Sequence, residues 1–392
     1  MTYARSRLLL GVSGVGILVL LSGALLYSGY PRDILPTSEV WSWKDVMAFA
    51  LIFLIAGMVM LPLDFLGGYF LPNHWRPNTI SLRDFFKSWF RGVFTQAVFF
   101  LAASLILLAA GRSYGLLGVI GAIGLVCLFL TSFQLHLARA VAGLSEDCAC
   151  DSKVEEACDL AVAPSSTDLR RFPIRVLHNH DIGFTGGIVG MPGREEIVLS
   201  ASAVRQLSSE QLGVVIARRI EAIGSGGRTR GVLLAFIWVA TGFFLSASLP
   251  GAGVASVASL VMTGLGFTLW TFLGLLTLPT LSRQASYAID SRIILSGSNL
   301  GDMHEALQAL DAVQDDEPSR SAFIETIFHP VPSIRNRESA TSSENLEVAR
   351  VPVAWHAARV TLYLSWACMG LLVRVVHCNV GRPELWVLLP TD

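Results

Sequence analysis

The residues from 231 to 282 carry no charged side chain, and this uncharged run constrains the fold more than any other feature of the chain. A helix needs about 20 residues to cross the hydrocarbon core of a membrane. The run is therefore long enough for two crossings. We expect the turn between them in the sequence SASLPGAG, which begins at Ser246.

Further uncharged stretches predict that the chain crosses the membrane six times in all. They cover residues 8–31, 46–63, 92–111 and 113–135. A content of 53% hydrophobic and 15% charged residues also places the chain among integral membrane proteins. Residues 360–373 are uncharged too, but as a helix they would reach only about 21 Å. We interpret them as a buried or interfacial helix, with a seventh crossing as the alternative.

The distribution of basic residues predicts the orientation, because Lys and Arg concentrate in cytoplasmic loops. A cytoplasmic N-terminus leaves only Arg32, Lys44 and Arg112 outside. The basic residues inside are then Arg5, Arg7, Arg76, Arg83, Lys87, Arg91 and Arg139. The polar segments 139–230 and 283–352 are also cytoplasmic in this scheme. In a bacterium, the membrane would be the inner one. We expect the first apolar run to be an uncleaved anchor, since no small-residue cleavage site follows it.

The net charge of −1, from 30 acidic and 29 basic residues, offers no field that would steer nucleic acid to the chain. The partner that the composition predicts is the lipid bilayer. Three of the six cysteines, Cys148, Cys150 and Cys158, cluster in an acidic segment. A thiolate metal site would need a further pair of ligands, which the sequence does not supply nearby, so we favour a solvated loop.

The pattern predicts a mainly α, multi-pass helical membrane protein with an α+β cytoplasmic domain. The predicted parts are a four-helix membrane region 1–138, the first part of the polar domain 139–230, a membrane hairpin 231–282, the second part of the polar domain 283–352, and a C-terminal hydrophobic helix with its tail 353–392. FPIRVLHN and EEIVLSAS read as strands. A helix should follow from about Ser209, capped by Ser208 or Ser209, to the glycines at 224–227.

Three connecting features have less regular patterns. Residues 81–91, SLRDFFKSWFR, mix aromatic and basic side chains, which predicts a helix at the cytoplasmic headgroups or one packed on the polar domain. The polar residues 140–168 read as a linker. Asp64 ends the second apolar run, and we expect it at the membrane interface.

Residues 212–223, LGVVIARRIEAI, form a predicted helix between a strand and the apolar hairpin. In this setting the chain resembles the membrane zinc metallopeptidases of the CAAX prenyl protease and HtpX type. Their helix reads AHExxHI, in which two His bind zinc and the Glu is the base. The aligned residues here are Arg218, Arg219 and Ala222. After the hairpin, the family motif S-R-x-x-E-[FY]-x-A-D becomes SRQASYAID, with Ser286 at the third ligand and Asp290 retained.

Two further segments carry the resemblance. IGFTGG, at 182–187, is similar to the family's edge strand N-A-F-A-x-G, which implies that Phe184, Gly186 and Gly187 bind an extended substrate by strand addition. An ordinary glycine-rich hairpin is the alternative. FHPVPSIR, which ends at Arg335, is similar to the family segment T-H-P-x-x-x-x-R-I.

The residues at the aligned positions do not support the zinc that the resemblance implies. Arg218 and Ala222 share a helix face, where the two His would stand. Ala has no ligand atom, Ser286 is a poor ligand, and Arg cannot be deprotonated. A guanidinium about 4 Å from a divalent cation would repel it by roughly 8 kcal/mol at an effective dielectric near 20. We therefore expect no bound cofactor, and we predict that Arg218 or Arg219 pairs with Asp290; the alternative leaves both arginines exposed to solvent.

His178 and His180 are weak candidates for relocated metal ligands, because they would share one face of a strand. The sequence favours a non-catalytic homologue of the metallopeptidases that binds a peptide, a membrane protein or another partner. The alternatives are an active membrane metalloendopeptidase with atypical ligands, a channel or carrier, and a purely structural role.

Overall fold

The structure, a computed structural model, divides into two compact units, each assembled from separate parts of the chain. It describes residues 2–75, 80–147, 151–162, 172–179, 183–314, 319–342, 353–376 and 379–383. The membrane unit comprises Met1–Leu130, Phe236–Gly274 and Thr361–Leu388. The polar unit comprises Thr131–Ala235, Leu275–Val360 and Leu389–Asp392.

Among the described residues, five helices are long and apolar enough to cross a membrane, which confirms a multi-pass helical fold. They are α1 (Tyr3–Ser28), α3 (Trp43–Phe65) extended to Trp75 by a π-helical turn (Leu66–Phe70) and α4 (Leu71–Trp75), α5 (Leu82–Ser132), α10 (Gly227–Ala247) and α11 (Val257–Leu295). The short helix α2 (Pro31–Ile34) follows α1. The break between α10 and α11 lies at the predicted SASLPGAG turn.

Helix α5 contains two of the six predicted crossings. At about 1.5 Å per residue, its 51 residues would be far longer than one crossing requires. Its backbone is non-helical at Gly115, with φ 63° and ψ −156°. The residues on either side of this break line one apolar cavity: Phe99, Ala102, Ala103 and Ile106 from the first half, and Ala122, Leu125, Val126 and Phe129 from the second. The two halves therefore fold back on each other around Gly115.

Residues 82–91 are helical, as predicted, and form the first turns of α5. Their expected place at the headgroups or against the polar domain stays a prediction. Phe85 is buried in the membrane unit and packs edge-on against Phe65, with ring centroids 5.7 Å apart. Phe86 and Phe90 are exposed.

Asp64 is buried within the membrane unit, and its expected place at the membrane interface stays a prediction. Its carboxylate accepts a hydrogen bond from Trp89 Nε1 at 2.9 Å and forms an ion pair with Arg374. No sequence pattern could indicate this pair, because its members lie 310 positions apart.

Residues 360–373 do not form a continuous helix. Helix α15 (Ala357–Leu364) is followed by 3₁₀ turns at Ser365–Cys368 and Leu371–Arg374. Met369 has a left-handed backbone (φ 60°), which ends the helical path between the two turns. The segment is largely buried, as predicted, and is not one of the five long helices.

The polar unit combines helices with a small sheet. Its other helices are α6 (Gln134–Ala142), α7 (Asp151–Leu160), α8 (Ala201–Gln206), α9 (Ser209–Gly224), α12 (Leu300–Gln314), α13 (Ala322–Phe328) and α14 (Ile334–Ala340). The strands are β1 (Ser145–Glu146), β2 (Ile174–His178), β3 (Gly186–Val189) and β4 (Glu196–Ser200), in the order β1-β2-β4-β3. β2 and β4 are the two predicted strands, and they pair in parallel.

The prediction that 140–168 is a linker was wrong for the part that the structure describes. β1 joins the sheet through β2, and α7 packs on α9 through Val154 and Ala157. Only these two residues of α7 have buried hydrophobic side chains. A helix with so narrow an apolar face gives a weak periodic signal.

Candidate functional site

Helix α9 is the centre of the polar unit, and its sequence determines where it begins. The Ser208 Oγ accepts a hydrogen bond from the Gln211 amide at 3.2 Å, and the Gln211 side chain accepts one from the Ser208 amide at 3.0 Å. This reciprocal cap satisfies two backbone donors that would otherwise lack partners. It confirms Ser208 as the cap. Every residue from Leu212 to Ala222 is buried.

Asp290 of α11 binds two arginines in this core. Arg218 Nε donates to Asp290 Oδ1 at 2.8 Å. Arg337 Nε donates to Oδ2 at 2.8 Å, and Arg337 Nη2 donates to Oδ1 at 2.9 Å. The exposed fraction of the side chain is 1% for Arg218, 2% for Arg337 and 0% for Asp290. The predicted pairing of Asp290 is thus confirmed for Arg218.

Arg219 has a different role. Its Nη1 donates to the carbonyl of Val198 in β4 at 2.8 Å, and its Nη2 donates to the carbonyl of Thr185 at 3.2 Å. Arg219 is only 1% exposed, so the alternative that placed both arginines in solvent was wrong. A guanidinium fixed on two carbonyls cannot act as a base, because it stays protonated.

Arg337 is the residue of this cluster that sequence reasoning missed. The motif comparison ended at Arg335, which is exposed. Helix α14 begins after Ser333, and residues three apart on a helix share a face. Arg337 therefore lies on the same side as Ile334, which is 5% exposed. The apolar residue three positions earlier was the signal that could have selected Arg337.

The side chains of Ser286 and Ala222 both have structural roles. The Ser286 Oγ donates to the carbonyl of Ser282, one turn earlier in α11, at 3.2 Å. Ala222 is fully buried in the apolar core. The oxygens of Asp290 already accept three N–H groups, so this carboxylate is not poised to act as a base.

The described residues do not fit a zinc ion at this position. Within them, no three His, Cys, Asp or Glu side chains are grouped so that they could hold a metal. His178 lies exposed at the end of β2. His180, Cys148 and Cys150 lie outside the described residues, so the proposal of relocated ligands stays a prediction.

The segment proposed to bind substrate lies at one edge of the sheet, since β3 pairs with β4 only in the strand order. Phe184 is 6% exposed, and Gly186 and Gly187 are buried. Gly186 has φ +97°, and a Cβ there would lie 2.0 Å from the carbonyl oxygen of Val198. The close approach of β3 to β4 thus requires glycine at this position.

These features define a multi-pass membrane protein whose polar unit buries an arginine–aspartate cluster. The fold is similar to that of S. mikatae Ste24p, known from a crystal structure, with a TM-score of 0.64. The two chains are 14% identical, and the match covers 77% of this chain and 76% of that chain. No family model and no curated protein matches the sequence. At this identity the likeness establishes the fold.

Proposed function

We propose that this chain is a non-catalytic relative of the membrane zinc metallopeptidases, and that it acts by binding a peptide, a membrane protein or another partner. Ste24p is a membrane zinc metallopeptidase of the CAAX prenyl protease family. The observation that carries the proposal is the pairing of Asp290 with Arg218 and Arg337. Arg218 stands where the resemblance places the first zinc-binding His.

The two guanidinium groups supply the positive charge that the buried carboxylate of Asp290 requires, a charge that a nearby metal cation could otherwise supply. A buried carboxylate without a positive partner is costly. Here the compensating charges are supplied by the chain, with the planar Arg337 fork binding both carboxylate oxygens. The core of the polar unit is therefore stable without a metal. A chelator should not lower the thermal unfolding temperature of the purified protein.

The edge strand β3 is the part of the polar unit that suits the binding of an extended peptide. An edge strand recruits a further strand through its backbone groups. Because Gly186, Gly187 and Ile188 are buried, a peptide would have to displace what covers this edge. Arg219 and Gln314 fix Thr185, the residue before β3: Arg219 binds its carbonyl, and Gln314 Nε2 donates to its Oγ1 at 2.9 Å. This would hold the edge in one conformation and reduce the entropy lost on binding.

The direct test is the metal content of the detergent-purified protein by elemental mass spectrometry, before and after mild chelation, together with hydrolysis of a casein reporter. We expect zinc far below one per chain and no hydrolysis. Zinc near one per chain, with hydrolysis that chelation and His178→Ala both abolish, would establish the active metalloendopeptidase with atypical ligands instead.

A second variant tests whether these positions correspond to the zinc site of the fold. Arg218→His, Arg219→Glu, Ala222→His and Ser286→Glu together supply the ligands and base of the family. We expect this variant to bind about one zinc per chain. The matched control carries the other three substitutions but retains Ala222. It should bind zinc much more weakly. Equal zinc binding by both proteins would contradict the assignment of the positions.

A further inference from the structure

The C-terminal segment of the membrane unit is packed inside the helices of that unit although its own backbone is irregular. The end of α15 is followed by two short 3₁₀ turns, with non-helical backbone at Met369 and Gly370 between them. We call residues 361–376 and 379–383 the C-terminal plug. Trp366, Cys368 and Leu372 have no exposed surface. Non-helical backbone at membrane depth is tolerated only where protein or a water-filled cavity surrounds it. The helices therefore enclose a space that the plug fills.

Helices α1 and α5 of the membrane unit both contact the plug. Trp366 packs on Phe100 of α5, with ring centroids 4.9 Å apart. Tyr363 donates from its hydroxyl to the carbonyl of Leu130, in the second half of α5, at 2.8 Å. A Cβ on Gly14 of α1 would lie 3.0 Å from Val375 Cβ. The contact is thus spread around the plug.

The closest approach is at the π-helical turn after α3. A Cβ on Gly68 would lie 2.0 Å from the carbonyl oxygen of Gly381, so the two backbones touch. Single π-helical turns inside helices are frequently found at functional sites. At Gly68 the plug contacts the main chain of the π-helical turn. A peptide of different sequence could meet the same backbone surface.

Asp64 is the main polar anchor of the plug. Its carboxylate receives the Arg374 guanidinium and the Gly381 amide from the plug, and Trp89 Nε1 from α5. The side chains of Arg374 and Asp64 are 4% and 3% exposed. Charges this deeply buried need each other, since either one alone is costly. One ion pair thus controls much of the stability of the plug in its place.

The plug also satisfies part of its own backbone. The Gly370 amide donates to the Ser365 carbonyl at 2.9 Å, and the Val380 amide donates to the Val376 carbonyl at 2.9 Å. Asn379 Nδ2 donates to the Val373 carbonyl at 3.0 Å. These turns do not depend on the surrounding helices, so the segment could leave without losing them.

We propose that the C-terminal plug is releasable, and that the space it fills is a binding site for an apolar peptide segment with one basic side chain. Asp64 is the acceptor for that basic group, and Arg374 occupies it in the closed state. The ligand chemistry is that of the plug itself. The inference goes beyond the proposed function, because it concerns the membrane unit and does not depend on zinc or hydrolysis.

Release is measured with Cys368 as a natural probe. The protein keeps Cys368, with its other five cysteines changed to Ser, and is reconstituted in lipid nanodiscs for labelling with N-ethylmaleimide. Arg374→Ala should raise the labelling rate about tenfold or more, because the buried Asp64 loses its partner. Arg374→Lys, which keeps the charge, should label more slowly than Arg374→Ala.

The matched control is Arg112→Ala. Arg112 and Asp45 form another buried ion pair of the membrane unit, at 2.9 Å, away from the plug. Arg112→Ala should leave Cys368 protected. The proposal that the plug is released would be wrong if Arg374→Ala is labelled at the parent rate. It would also be wrong if Arg374→Ala and Arg112→Ala accelerate labelling equally.

The binding site is tested with a fluorescent synthetic peptide of residues 361–376, titrated into nanodiscs that hold the Arg374→Ala protein. We expect saturable binding above that to empty nanodiscs. Asp64→Asn in the protein, or Gln in place of Arg374 in the peptide, should weaken the binding about tenfold or more. Equal binding of both peptides, or no binding above empty nanodiscs, would overturn the assignment of the site.

Discussion

At the scale of single residues, the polar unit depends on one carboxylate. Asp290 pairs with both Arg218 and Arg337. Trp355 adds a cation–π contact, with the Arg218 guanidinium carbon 5.6 Å from its ring centroid. A substitution at Asp290 therefore affects two buried cations at once.

We predict that Asp290→Ala lowers the free energy of unfolding by about 3–5 kcal/mol or more, because it leaves two buried arginines without their carboxylate. Arg218→Ala and Arg337→Ala should each cost less, since the other arginine still binds Asp290. Thermal unfolding in detergent measures all three. Arg335→Ala, at an exposed neighbouring position, should change stability by less than about 0.5 kcal/mol. The cluster has no structural role if Asp290→Ala is as stable as this control.

Local sequence patterns predicted one of the two ion pairs in this cluster. The spacing of Arg218 on one helix and Asp290 on another, read through the family motifs, gave their pairing. Arg337 could not be selected in the same way, since the sequence IRNRE offers two arginines and only the helix phase of α14 distinguishes them. The Asp64–Arg374 pair has no local pattern at all, because it depends on the path of the whole chain.

At the level of elements, one glycine controls a change of direction in the membrane unit. Gly115 turns α5 back on itself, and its φ of 63° with ψ of −156° is a backbone conformation that residues with a side chain rarely adopt. The uncharged runs predicted two crossings, one on either side of Arg112. Hydropathy cannot specify how such crossings are joined, so the short connection within one kinked helix was not foreseen.

Gly115→Ala should destabilise the membrane unit by about 1–3 kcal/mol, through backbone strain alone, because a Cβ there meets no atom within 4 Å. Gly121→Ala is the matched control. Gly121 is helical and equally uncrowded, so alanine should be neutral or slightly stabilising there. Thermal unfolding compares the two proteins, and equal stability would show that the chain does not require the turn at Gly115.

Gly186→Ala should disrupt the pairing of β3 with β4. The new Cβ would lie 2.0 Å from the Val198 carbonyl oxygen, in addition to the strain of φ +97°. Gly193→Ala, at φ +87° with no atom within 4 Å, carries the strain without the clash. Hydrogen exchange of the β4 amides should accelerate in the first variant more than in the second; equal exchange would mean that β3 moves away at little cost.

At the scale of the whole molecule, the number of crossings determines which segments share a side of the membrane. If α5 crosses twice, four crossings precede residue 139, and the N-terminus and the first polar segment face the same side. A single crossing by α5 would place them on opposite sides. The basic residues at 83–91 and Arg139 favour the first arrangement, with both in the cytoplasm.

Single cysteines at exposed positions decide between these arrangements. We predict that Thr2→Cys and Glu155→Cys are protected from a membrane-impermeant maleimide in intact cells, whereas Glu39→Cys is labelled. All three should react after the membrane is permeabilised. Labelling of Glu155→Cys together with Glu39→Cys in intact cells would show that α5 crosses only once.

The ion pair between Asp64 and Arg374 also has a consequence for biosynthesis. Its two members are 310 positions apart, so at synthesis rates of about 5–20 residues per second Arg374 follows Asp64 by roughly 15–60 s. During that interval the carboxylate enters the bilayer without its guanidinium, and an unpaired acid within a membrane is costly. A transcript truncated before codon 374 would leave Asp64 in that condition for the lifetime of the product. The ion pair therefore couples the state of a residue made early to the synthesis of a residue made late.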